Sequence, residues 1–390
     1  MHISKRIGLL VSTSVLMASC SFAPSNGVAT RAPEANVSPV SSPSSSPAPA
    51  PRTISIVSSG DILLHERLWA QAKADGVDGK WDFYPQLADL EPVISSADLA
   101  LCHLETPMAE LGVDYQGYPT FNAPPQITEA IIKLGFDMCG TASNHSLDQG
   151  FTGLTRTIET LERAGIPHTG TATSQAGASQ PLVMDVQTAN GVVRVGILSY
   201  TYGFNGFERD ADELWSANLI DPVAIIAEAK LARSQGAEIV IAKLHWGNEY
   251  TDKPNDFQTS VAQELADSGQ IDLIDGSHSH SVQPITQIGN TWIAYSHGNF
   301  VAAQREPETI KSEGLVTRWE FVESTSGGFK LSCVKEVPTL IRDDRPVRVI
   351  DVNKALSTGE YLGETKNRLE KAKARTDETV RALGFTKFCD

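Results

Sequence analysis

The sequence predicts an α/β fold of stacked sheets covered by helices, on three observations. Short β-rich runs alternate with helical ones from residue 53 to 295, the pattern of sheets with helices laid on their faces. Polar side chains follow apolar strands directly, five times over, where ligands gather in α/β proteins, outside the carboxyl ends of the strands. Beyond the N-terminal region no low-complexity break divides the chain, so the remainder reads as one large domain.

Taken in order, residues 53–64 (TISIVSSGDILL) form a β-rich run ending in a polar tip. Helical stretches at 69–75 and 84–95 lead to a second strand at 98–104. Residues 127–134 read as a helix, 136–142 as a strand and 154–164 as a helix, and 182–186 with 192–200 as a hairpin across Asn190-Gly191. A helix is expected over 222–235, with Pro222 at its start and Gly236 just past its end. A continuous apolar strand (239–244), a helix (256–267) and short strands at 271–275 and 291–295 follow. After Val301 come two half-buried strands, 315–322 and 329–337, and a charged helix from about 365 to 383. These close the fold rather than carry chemistry. The domain is expected over 52–345, with 346–390 a helical extension packed on it.

The first twenty residues read as a secretion signal, with Lys5 and Arg6 before an apolar stretch and Met17-Ala18-Ser19-Cys20 at the cleavage site. Cys20 resembles a lipobox cysteine, so lipidation and anchorage to the outer face of the cytoplasmic membrane are expected. The apolar stretch is shorter than the ~20 residues of a spanning helix. Residues 21–51 are almost entirely Ser, Pro and Ala, too poor in large apolar groups to offset the entropy of folding, and read as a disordered tether. The formal charge is -15, and -17 once Lys5 and Arg6 leave with the signal, which argues against nucleic acid as a partner. Cysteines 102, 139, 333 and 389 lack the close pairing of a zinc site or a dense disulfide framework. Cys102 and Cys139 fall in expected core strands and read as buried thiols, a disulfide being the alternative.

The five polar segments are Gly60-Asp61-Ile-Leu-Leu-His65, His103-Leu-Glu105, Asn144-His145-Ser-Leu-Asp148-Gln-Gly150, His245-Trp246-Gly247-Asn-Glu249-Tyr250 and Gly276-Ser-His278-Ser-His280. A lone histidine at a strand end is more often a hydrogen-bonded packing residue than a ligand, but the five together are hard to explain that way. Carboxylates, an amide and several imidazoles suit Mn, Fe or Zn, and two divalent ions sharing a carboxylate at ~3.5 to 4 Å need about this many ligands. The absence of cysteine from these segments argues against a structural zinc site.

These segments in this order, with Tyr295-Ser-His-Gly-Asn-Phe300, resemble the CapA family, the capsule-synthesis domain associated with bacterial poly-γ-glutamate and itself similar to calcineurin-like metallophosphoesterases. The resemblance runs from about residue 54 to 301. It implies a four-layer αββα sandwich with Asp61 and His280 on one ion, Glu105 bridging, and Asn144, His245 and His278 on the second. It implies that His145 orients or protonates the leaving group, with Asp148 buttressing it, and that Trp246, Glu249, Tyr250 and Asn299 shape a substrate pocket, core packing being the alternative for Trp246. His65 stands four residues after Asp61, where the superfamily sets its histidine two after the aspartate; it is carried as a metal or pocket residue. His103 replaces a frequent Asn and reads as a further ligand, an acid or a simple polar swap. Ser279 replaces a frequent Pro, which would loosen the loop carrying His278 and His280. His297 replaces a commonly apolar residue and would line the pocket or cap its strand. The resemblance implies an anionic envelope polymer such as poly-γ-glutamate as partner, with membrane synthase or export subunits. The chemistry is either metal-dependent hydrolysis or non-catalytic polymer binding.

Overall fold

The computed structural model describes residues 50–178, 180–304, 310–342 and 344–389. The signal, Cys20 and the tether up to residue 49 lie outside the described residues. The chain first lays down parallel strands β1 (Thr53–Ile62), β2 (Leu99–Leu104), β3 (Met138–Gly140) and β4 (His168–Thr169). It then builds a second sheet from β5 (Leu182–Thr188), β6 (Gly191–Thr201), β7 (Ile239–His245), β8 (Leu273–Ser277), β9 (Ile285–Ile288) and β10 (Thr291–Ala294), in the order β5-β6-β7-β8-β10-β9. It returns with β11 (Asn299–Val301), β12 (Glu313–Glu323), β13 (Phe329–Arg342) and β14 (Arg348–Asp351), giving a first sheet ordered β14-β13-β12-β1-β2-β3-β4, with β11 also against β1.

Side-chain alternation along the strands creates the layers. Ile54, Ile56, Leu99, Leu101 and Met138 face Val195, Ile197, Ile239, Ile241 and Leu273 of the second sheet. The alternate positions Val57, Ala100 and Cys102 pack outward on helices Glu66–Asp75 and Ile127–Leu134. On the far side Val240, Ala242 and Leu244 pack on helices Pro222–Ser234 and Asp256–Asp267. The result is helix, sheet, sheet, helix, as the resemblance implied. Each fully buried aliphatic side chain stabilises by roughly 1.5–3 kcal/mol, so these three contact layers fix the strand ends firmly. Asp221 caps the first of the outer helices through Val223 N at 2.9 Å, and Asn255 with Gln258 forms a capping box on the second. None of the described helices is long and apolar enough to cross a membrane.

The expected strand at 329–337 runs on to Arg342, and β14 extends the sheet beside it, Leu340 opposite Ile350. Helices Val352–Thr358 and Gly363–Arg381 close over this corner through Val352, Leu369 and Ala372. The buried-thiol expectation is corrected. Cys102 and Cys139 stand opposite one another on β2 and β3, 4.5 Å apart at Cα, and form a disulfide; Cys333 and Cys389, 5.0 Å apart at Cα, form a second. Parallel register brings the first pair within bridging distance, which a separation of 37 residues in sequence does not disclose.

Candidate metal centre

Strands β1, β2 and β3 of one sheet and β6, β7 and β8 of the other release their carboxyl ends into one buried cluster. Asp61 and His103 end β1 and β2, side by side in register; His245 ends β7 opposite Ser277. Two glycines permit this closeness: a Cβ on Gly60 would lie 1.9 Å from the Gly298 carbonyl oxygen, and one on Gly276 would lie 1.9 Å from that of Tyr295. The loop after β8 holds His278 at φ 92° and His280 at φ 52°. Left-handed conformations at non-glycine residues cost on the order of 1–3 kcal/mol and survive where the surroundings over-determine them. Here the His278 amide donates to Asp61 Oδ2 at 3.2 Å, and the Ser279 hydroxyl donates to the Ser281 carbonyl at 2.7 Å. The serine at 279 therefore braces the loop rather than loosening it.

Four sets of potential ligand atoms lie within 4.8 Å of one another: Asp61, Glu105 and His280; Glu105, His245 and His278; Asp61, His103 and His245; and Glu249, His278 and His280. The first two share Glu105, the residue expected to bridge. His280 Nδ1 is 3.3 Å from Asp61 Oδ2 and its Nε2 is 3.8 Å from Glu105 Oε1. His245 Nε2 is 3.8 Å from the same Glu105 oxygen and 2.8 Å from Asn144 Oδ1. All six expected ligands thus meet in one place.

Divalent ions fit this set. Both Glu105 carboxylate oxygens and His278 Nδ1 are buried and have no hydrogen-bond partner among the described residues, and a buried carboxylate without a partner is costly unless a cation compensates it. Burial pushes Glu105 well above the ordinary carboxylate range. Burial would also raise Asp61, but the hydrogen bond and charge of His280 hold it below its usual value. Burial lowers His278 to about 3 and His103 to about 4, and pushes His245 well down, so these imidazoles are in the neutral form that metals bind. His280 differs: burial would lower it, yet the Glu105 and Asp61 carboxylates lift it to about 9.

His145 lines the cleft beside this cluster, with Nδ1 2.7 Å from Asp148 Oδ2. His103 sits behind His245, its Nε2 2.9 Å from His245 Nδ1 and the rings stacked at 4.8 Å. With His245 Nε2 turned to Glu105 and Asn144, this contact orients the ring from its other nitrogen, the usual arrangement behind a metal-binding histidine. His65 also lines the cleft, edge-on to Phe121 at 5.5 Å, and belongs to none of the four ligand sets. Burial takes it down to about 4.

Glu249 and Tyr250 line the cleft as expected, but three other pocket residues do not. Trp246 is fully buried on the helix-covered face of its sheet, donating to the Tyr295 carbonyl at 2.9 Å. It directly follows His245, the last residue of β7, and its side chain leaves on the opposite side from the His245 ring. His297 is buried between the sheets, its Nδ1 3.1 Å from Asp275 Oδ1 and its Nε2 2.8 Å from the Thr317 hydroxyl, so it braces the floor rather than lining the pocket. Asn299 positions a ligand instead: its Oδ1 is 2.9 Å from His280 Nδ1, while its amide donates to the Lys311 carbonyl at 2.8 Å.

Two residues join the site unannounced. Tyr202 lays its ring 4.5 Å from that of His278, and Asn205 accepts from the Asn144 amide at 3.2 Å and approaches His145 Nδ1 at 3.5 Å. Tyr202 directly follows β6, so the strand-end rule that found the other segments also applies to it; Asn205, farther along an irregular loop, carries no such signal.

The fold and site together define a helix-covered double-sheet protein with a buried cluster of potential metal ligands at its strand ends. The chain belongs to the bacterial capsule synthesis protein PGA_cap family, whose profile residues 55–304 match. It is 25% identical over 278 residues to the PGA biosynthesis protein CapA of Bacillus subtilis (strain 168), covering 70% of this chain and 69% of that protein. It is 32% identical over 200 residues to the capsule biosynthesis protein CapA of Bacillus anthracis, covering 50% of this chain and 47%, about half, of that relative. Among solved structures it is similar to the calcineurin-like phosphoesterase YfkN from Bacillus subtilis, at a TM-score of 0.46 and 16% identity over 83% of this chain and 99% of that one.

Proposed function

We propose that this protein acts in poly-γ-glutamate capsule biosynthesis as a metal-dependent hydrolase of an anionic envelope polymer, anchored through Cys20 to the outer face of the cytoplasmic membrane. Family membership and the names of the CapA relatives support the capsule role. The two disulfides fit an oxidising compartment, as the N-terminal signal also requires. Membrane synthase or export subunits are the partners this role calls for.

The single observation that carries the hydrolytic reading is the His145–Asp148 pair at the mouth of the ligand cluster. A polymer-binding subunit needs the cations but has no use for a histidine held by a buried carboxylate. Two divalent ions held by Asp61, Glu105, Asn144, His245, His278 and His280 would supply Lewis acidity and a positive centre in an acidic protein. Asp148 fixes His145 through Nδ1, leaving the other ring nitrogen to deliver a proton to the leaving group. Tyr202 and Asn205 hold His278 and Asn144 in place.

The test is to assay metal-loaded protein against γ-glutamyl polymer and against phosphoesters, with Asp61→Ala and His145→Ala as controls. Turnover in the parent and its loss in both variants is expected. Polymer binding without turnover under any metal would overturn the enzyme reading in favour of a binding subunit.

A further inference from the structure

Asn144 is the one amide among the six expected ligands. An amide can meet a cation only through its oxygen, because its other end carries two hydrogen-bond donors. The two ends are nearly equal in shape, so the groups that face the NH2 end decide which way the side chain turns. Asn144 Oδ1 lies 2.8 Å from His245 Nε2, on the side of the ligand cluster. On the other side the amide nitrogen donates to Asn205 Oδ1 at 3.2 Å, and the Asn144 side chain also hydrogen-bonds the Tyr202 hydroxyl. Asn205 Oδ1 can only accept, so a reversed Asn144 would set oxygen against oxygen there. Both partners come from one short segment directly after β6, Tyr202-Gly-Phe-Asn205.

That segment is held in place from several sides. Asn205 is exposed and left-handed, at φ 50°, a conformation that persists at a non-glycine residue where its surroundings over-determine it. Phe204, beside it, is buried among Leu147, Leu154 and Ile158, in and just before helix Gly150–Ala164. The Arg209 guanidinium covers the Phe204 ring at 5.3 Å and donates to the Ala217 carbonyl at 2.6 Å. At the start of the segment the Tyr202 amide donates to the His245 carbonyl at 3.0 Å. The Tyr202 ring lies 4.5 Å from that of His278 and is stacked at 6.5 Å on that of His245. These contacts fall on Asn144, His245 and His278, the three residues assigned to the second ion alone.

We infer that Tyr202 and Asn205 are positioning residues that lock the Asn144 amide with its oxygen toward the second ion. This rests on the ligand assignment in the functional reading above and deepens it: the second ion depends on the Tyr202–Asn205 segment, and the ion held by Asp61 and His280 does not.

The test titrates the intact metal-free chain with manganese alone, reading affinity by calorimetry and stoichiometry by elemental analysis. Two ions are expected in the parent. Asn205→Leu should keep the first and weaken the second by about 10–100-fold, and Tyr202→Phe, which keeps the ring on His278, should act in the same direction and by less. Asn205→Asp still accepts from Asn144 and tolerates the left-handed backbone, so it should restore the second ion. Asn205→Gly removes the acceptor but suits the backbone; its metal-free melting temperature should stay near the parent's while its second ion is weakened as in Asn205→Leu. A role confined to folding would instead lower that melting temperature and spare the difference between the ions. A second ion bound as tightly in Asn205→Leu as in the parent, equal weakening of both ions, or failure of Asn205→Asp to restore binding overturns the lock and leaves the metal centre intact. A parent that takes up fewer than two ions overturns the two-ion assignment and the lock with it.

Discussion

The Nδ1 atom of His145 lies 2.7 Å from Oδ2 of Asp148, and that same oxygen accepts the backbone amide of Phe121 at 2.6 Å. The carboxylate is thus fixed from a second side, and Phe121 meets the His145 ring edge-on at 4.8 Å. The histidine is held in one orientation and belongs to none of the four ligand sets.

From this arrangement, His145→Gln should lower kcat by about 10²–10⁴-fold and Asp148→Asn by about 10–100-fold, with bound metal unchanged in both. Steady-state kinetics paired with elemental analysis separates the two quantities. Loss of metal from His145→Gln would make it a ligand instead.

Both buried Glu105 oxygens lack a hydrogen-bond partner among the described residues, so a divalent ion should stabilise the folded protein markedly. An ion at a hundred times its Kd adds about 2.7 kcal/mol. Thermal melts with and without Mn or Zn should differ by several degrees for the parent, and the difference should shrink in Glu105→Gln. Equal shifts in both proteins would place the ions elsewhere.

Beneath the centre, Lys243 and Asp275 form a buried ion pair across β7 and β8, joined by His297. Burial would raise the Asp275 carboxyl, but Lys243 and His297 hold it below its ordinary value. Its contribution to stability is then complete above the ordinary aspartate pKa of about 3.9 and is lost as pH falls through the depressed folded value. Asp275→Asn should cost about 3–5 kcal/mol by stranding the buried ammonium, and Lys243→Met with Asp275→Leu should cost less. Urea midpoints at neutral pH decide between them, the double variant being the informative one.

The Cys333–Cys389 disulfide joins residues 56 apart in sequence. Replacing both with alanine should lower stability by about 2–4 kcal/mol, measured as a drop in melting temperature that a reducing agent reproduces in the parent and does not deepen for this bond in the variant.

Trp246→Ala should cost about 3–5 kcal/mol through the cavity it leaves, whereas Tyr250→Ala, partly exposed at the cleft, should change KM with little loss of stability. A Trp246 variant of normal stability and raised KM would return that residue to the pocket.

Trp246 and His245 show where sequence reading stops. The sequence by itself determined the alternation of strands and helices, and it determined that Asp61, Glu105, Asn144, His245, His278 and His280 each stand at a strand end. Those are local properties: period, polarity and the few residues that follow an apolar run. Only the tertiary structure decided that Trp246 faces the helices, that His297 lies against Asp275, that Asn299 holds His280, and that Tyr202, Asn205 and Lys311 stand beside the ligand cluster or its cleft. It also decided which cysteines pair. Each of these depends on a contact between residues far apart in the chain, set by strand register or by how the layers pack, that no local pattern encodes.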